Sequence, residues 1–239
     1  MRLIVFMFML MDIFSSFDEY NCNVFSSTLF IWLFSLVFFF VFFSSYWLGF
    51  SRLTVLLDLI VGYISDQLDR SLGKKLSGFS VFVSGLFLFL LMMNFLGLIP
   101  YVFSQTCHLV VSFSLGFTLW FSLILSSLFY KVDVFLAHFL PVGAPLVLNP
   151  FLVLVETLSV LMRPFTLSIR LVANMSAGHI VIGLVGIYFS SALSGSLWTY
   201  SLLLFSFQVF YFLFEFGISL IQAYVFSLLI ILYSDEHSY

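Results

Sequence analysis

Charge is the thing this sequence is poorest in. Only 8% of its 239 residues are Asp, Glu, Lys or Arg, against about 25% in a soluble domain. With 63% hydrophobic residues and a mean hydropathy of +1.21, too little polar surface remains to cover a water-soluble particle. Eight basic residues against eleven acidic ones leave a net charge of −3 and no basic patch, which removes nucleic acid as a partner. Cysteine is nearly absent. Cys22 and Cys107 stand alone with no paired spacing, which excludes a disulfide framework and a metal knuckle. Period-two alternation is missing too, which argues against a β-barrel. The glycine spacing of a phosphate-binding loop is not met by Ser71-Leu-Gly-Lys-Lys-Leu76. No cofactor or metal site is expected.

What remains is a series of long apolar runs, the mark of membrane helices. Val24 to Phe50 carries no charge and is long enough to span. The charges cluster next, from Ser51 to Ser77, where Arg52, Asp58, Asp66, Asp69, Arg70, Lys74 and Lys75 sit among Leu, Ile and Val. That pattern reads as an amphipathic helix lying on the membrane surface, with a polar loop as the alternative. Phe79 to Pro100 and His108 to Tyr130 form a hairpin of spans. Leu140 to Pro150 holds three prolines and is a bent approach rather than a helix interior. Two longer runs follow, about residues 145–188 and 197–233, separated by a break near Ser190. Both exceed the roughly 20 residues that cross a bilayer upright, so steep tilt is expected.

The expected fold is an all-α integral membrane protein with about five membrane helices and one amphipathic surface helix. Residues 1–78 form an N-terminal part and 79–239 a helical channel domain. The basic residues of 51–75 and Lys131 fall on one side of the membrane, which the positive-inside rule assigns to the matrix or cytoplasm. The N-terminal run Met1 to Met11 has one arginine, a short apolar core and no small-residue cleavage site. It fits neither a secretory signal nor a transit peptide, as expected of a protein made where it works. The 35 phenylalanines point to an A/T-rich genome and hence to an organelle.

Against this background a few polar residues stand out. Glu156, Arg163, Arg170, Asn174 and His179 lie in one apolar run, and Gln208, Glu215 and Gln222 in the next. A charge at the bilayer centre costs about 2.5–3.5 kcal/mol on insertion scales, so such groups face a bundle interior or a water path. At 100° per residue Glu156, Arg163, Arg170 and Asn174 fall within about 60° of one helix face, and His179 points the other way. Glu215 and Gln222 share a face of the last helix. Arginine stays protonated, whereas His and Glu exchange protons. A fixed cation between two zones of exchangeable groups suits proton transfer to a moving carboxylate. At about 4 Å and an effective dielectric near 20, Arg170 favours the ionised form of that carboxylate by about 4 kcal/mol. It also blocks direct leakage between the zones. Blander roles stay open: Arg163 as an anchor beside Pro164, Glu156 as a simple ion-pair partner, His179 as a core histidine.

The stretch from Pro150 to His179, PFLVLVETLSVLMRPFTLSIRLVANMSAGH, resembles the signature helix of subunit a of F-type ATP synthases. FEFGISLIQAYVFSLLIILY resembles the last helix of that subunit, NFLGLIPYVFSQTCHLVV its hairpin and FLPVGAPLVLNPF the approach to its signature helix. The resemblance implies a non-catalytic stator subunit that passes protons through two half-channels to a rotating c-ring. Its partners would be the c-ring and the other Fo and peripheral stalk subunits, in the mitochondrial inner membrane. It implies that Arg170 faces the ring's proton-binding carboxylates. Asn174, His179, Glu215 and Gln222 would line the half-channel from the intermembrane space, and Glu156 would lie near the one to the matrix. The family often has an additional acid near the hairpin; here only His108 lies there, with Asp133 beyond it. Two other classes compete: a self-contained proton-coupled transporter, which needs a substrate cavity, and a structural subunit of a respiratory complex, which tolerates loss of Arg170.

Overall fold

Where no water is available, a backbone must satisfy its own polar groups, and a helix does so within one segment. The computed structural model describes residues 17, 33, 52–99, 102–139, 148–195 and 198–235, and all elements among them are helical. They are α1 (Arg52–Asp69), a 3-10 turn (Leu72–Lys75), α2 (Phe79–Leu98), a 3-10 turn (Gln105–Cys107), α3 (Leu109–Tyr130), α4 (Val132–His138), α5 (Asn149–Ser194) and α6 (Trp198–Asp235). Four of them, α2, α3, α5 and α6, are long and apolar enough to cross a membrane. The first expected span, Val24 to Phe50, lies outside the described residues apart from Leu33.

The last two helices contain 46 and 38 residues. At 1.5 Å per residue each is about twice as long as the roughly 30 Å hydrocarbon core is thick. The start of α5 follows from Asn149-Pro150, since proline is tolerated in the first helical turn, where its missing N–H has no partner to lose. The other end departs from the sequence reading, which stopped near Tyr188. The helix continues to Ser194 because its serines serve their own backbone. The hydroxyls of Ser190, Ser191 and Ser194 each donate to the carbonyl three residues back, at 2.8 Å. Such back-bonding lets a serine sit inside a helix. Gly195, whose N–H reaches Ser191 O at 3.1 Å, follows the last turn. The short helix α4 precedes the proline-bearing approach of residues 140–150, at positions for which the sequence suggests no element.

Surface amphipathicity is visible in α1. Ile64 and Leu68 are buried, while Asp58, Asp66 and Asp69 are exposed.

The chain folds into two compact units, each assembled from separate stretches. One comprises Met1–Ser44, Leu91–His108 and Leu171–Gln222; the other Ser45–Leu90, Leu109–Arg170 and Ala223–Tyr239. In the first, Leu98, Cys107 and Met175 are buried together with Phe95 against them, and Phe95 stacks on Phe216 at 4.6 Å. A Cβ on Gly97 would stand 3.2 Å from Ser104 Cβ, so glycine lets α2 approach the turn that follows it. In the second unit, Gly116 of α3 faces α5, where a Cβ would meet Leu167 at 3.4 Å and the Pro164 carbonyl at 3.6 Å. The turn Leu72–Lys75 meets the end of α6: the Leu72 N–H donates to Asp235 Oδ1 at 2.8 Å, and Gly73 abuts the Ser234 hydroxyl.

Candidate proton-transfer site

In the first unit three polar residues of α6 line a buried stripe. Glu215, Ser219 and Gln222 are 6%, 0% and 9% exposed, at the i, i+4, i+7 spacing of one helix face. Glu215 fits there only because position 178 is glycine. A Cβ on Gly178 would overlap the Glu215 carboxyl group. The Ala177-Gly178-His179 element of α5 thus gives the carboxyl of α6 its place, a steric reason for the glycine that spacing alone did not supply. Glu215 Oε2 has no hydrogen-bond partner among the described residues. His179, the residue after Gly178, is half-buried with its Nε2 likewise unpartnered and meets the Phe17 ring edge-on at 6.3 Å.

Two further polar residues belong to this unit and were not singled out from the sequence. Asn94 is fully buried in α2 and donates from Nδ2 to the Ser219 carbonyl at 3.2 Å, leaving Oδ1 unpartnered. Thr106, in the turn after α2, is buried with an unpartnered hydroxyl oxygen. The signal for Asn94 was present: a lone amide in a 20-residue apolar helix carries the same desolvation cost that singled out Arg170. Thr106 had no such signal, since a connecting turn is ordinarily polar. Buried unpaired polar atoms are rare in proteins and mark water, ion or strain sites. Four of them on Asn94, Thr106, His179 and Glu215, within one unit, describe a polar interior in an otherwise apolar protein. Cys107 adds nothing exchangeable, because burial pushes its thiol up to about 11.

In the second unit Glu156 and Arg163 meet at 3.9 Å, and the Arg163 guanidinium lies 5.2 Å from the centre of the Tyr233 ring. Arg170, also in this unit, is exposed and pairs with no carboxylate among the described residues. A cation on an apolar helix needs a carboxylate, a backbone carbonyl or a water path to meet its charge. Asn174, one turn later on α5, is half-buried. The described residues include no cluster of His, Cys, Asp and Glu able to hold a metal.

The sequence profile of the ATP synthase A chain family matches residues 3–235. The chain belongs to that family. Among its relatives, ATP synthase subunit a of Artemia franciscana is 38% identical over 228 residues, covering 95% of this chain and 100% of that protein. ATP synthase subunit a of Apis mellifera ligustica is 35% identical over 232 residues, with 95% and 97% covered. That of Albinaria caerulea reaches 46% over 144 residues, with 60% and 66% covered. Membership makes this chain a membrane subunit of an ATP synthase, the Fo proton-channel subunit, acting with the other subunits of that complex. The transporter and respiratory-complex alternatives give way to it.

Proposed function

We propose that the chain passes protons through two half-channels and couples their flow to rotation of a c-ring in the mitochondrial inner membrane. The observation that carries this reading is Arg170, an exposed cation on an apolar helix that pairs with no carboxylate among the described residues. On this reading the missing carboxylates are those of the c-ring, which pass one at a time. A proton from the intermembrane side moves along water held by Asn174, Gln222 and Asn94 to His179 and Glu215, and from there to a ring carboxylate. The neutralised carboxyl can then face lipid, where a charge is too costly. When rotation brings it round to Arg170, the cation favours its ionised form by about 4 kcal/mol. The proton leaves toward Glu156 and the matrix. Arg170 cannot release a proton itself, so it separates the two paths. Each proton falling through 100 mV releases about 2.3 kcal/mol, which drives rotation. This subunit is non-catalytic; nucleotide chemistry lies in other subunits, and the peripheral stalk holds it against the ring. The test is ATP-driven proton pumping with Arg170→Ala in an assembled complex. Loss of pumping is expected; pumping at the parent rate would remove the reading.

A further inference from the structure

Two neighbours of the Arg163 guanidinium differ in kind. Glu156 Oε1 is 3.9 Å from its Nη2, while the Tyr233 ring centre is 5.2 Å from its central carbon. A charge-assisted hydrogen bond to a carboxylate is about 2.7–2.9 Å long, so the ion pair stands open. The ring contact, by contrast, is within the roughly 6 Å over which an aromatic face attracts a cation. Glu156 and Arg163 are two turns apart on α5, about 10 Å of rise, and both side chains must reach along the helix to meet. Tyr233 comes from another element, the last turn of α6, and its neighbours Ser234 and Asp235 contact the Leu72–Lys75 turn through Gly73 and the Leu72 N–H. The backbone that carries the ring is therefore tied to that turn.

We propose that Tyr233 is a positioning residue for proton release. Its ring face holds the Arg163 guanidinium and keeps it from closing on Glu156 as a two-pronged ion pair. A closed pair would put N–H donors on both carboxylate oxygens and favour the ionised carboxylate, so that Glu156 would take up a proton less readily. The open pair lets a Glu156 oxygen accept a proton through water and return it to water on the outlet side. Only O–H bonds form and break, and nothing is oxidised or reduced. The inference rests on Glu156 serving the outlet path.

The experiment uses the whole assembled complex in membranes and reads ATP-driven proton pumping, with assembly measured in parallel. Tyr233→Phe keeps the ring face and is expected to pump within about twofold of the parent. Tyr233→Leu, or Tyr233→Met should the leucine variant fail to assemble, is expected to lose pumping several-fold. The double variant Arg163→Gln with Tyr233→Leu is expected to pump no worse than Arg163→Gln alone, because the ring acts only through the guanidinium. Three results would overturn the proposal: full pumping without a ring, loss of pumping in Tyr233→Phe, or additive losses in the double variant. Arg170→Ala run alongside separates the levels. If it still pumps, the channel reading fails; if it does not, a normal Tyr233→Leu removes only the positioning role.

Discussion

At the scale of the residue, the membrane makes each polar group answerable. Glu215 illustrates this: it is buried in α6 and fitted against a glycine of α5. Gly178→Ala puts a methyl group where the carboxyl lies, so Glu215 must leave its place. Proton flux is expected to fall tenfold or more while the complex still assembles, measured as passive proton conduction through Fo. Parent-level conduction in that variant would mean the observed position of Glu215 is immaterial. His179→Ala and Glu215→Gln are expected to slow the same flux with assembly intact. Normal flux in both would put these groups outside the path. Asn94 gives a further separation of function from stability. It makes one side-chain hydrogen bond and leaves its other atom unpaired. The Ser219 carbonyl lies within α6 and keeps the helical N–H four residues on as its donor, so losing the amide leaves no newly unpaired group. Asn94→Leu should therefore leave assembly near the parent level and slow proton flux several-fold. Poor assembly with normal flux per complex would make the amide structural.

At the scale of the element, the sequence is most legible where one physical demand dominates. The spans α2, α3, α5 and α6 follow from apolar runs that a bilayer requires to be helical. Their expected extents hold to within a few residues, except the C-terminal end of α5. There the serines were read as a break, but a hydroxyl that donates to its own helix reads locally like one that leaves it. The stripe of Glu215 and Gln222 was legible from helical spacing alone. Gly178 was not, because its need arises from α6, some forty residues away in the chain. Tyr233 was hidden for the same reason: one tyrosine at a helix end has no local mark, and its partner Arg163 lies on another helix. The close approach at Gly73 gives an element-level prediction. A Cβ there would overlap the Ser234 hydroxyl and stand 3.0 Å from a Phe79 ring atom. Gly73→Val should dislodge the turn from the end of α6 and lower the amount of assembled complex, measured by native electrophoresis. Unchanged assembly would make that contact incidental.

At the scale of the whole molecule, the distribution of charge sets orientation before any contact does. If α2 and α3 both cross the membrane, the basic residues from Arg52 to Lys75 and Lys131 fall on one side of it. Single cysteines at Lys75 and Lys131 should label from the same compartment with an impermeant thiol reagent. Labelling from opposite sides would require a different threading of α2 and α3. The native Cys107 should stay silent in that experiment, since its buried thiol, pushed up to about 11, offers almost no thiolate near neutral pH. On the proposed function, the scarcity of charge in the spans is what makes Arg170, exposed on the apolar helix α5, decisive. The measurement that tests this most directly is ATP-driven proton pumping by the assembled complex carrying Arg170→Ala. An intact complex that pumps no protons is the expected result. Pumping at the parent rate would contradict it and leave Arg170 as a structural charge.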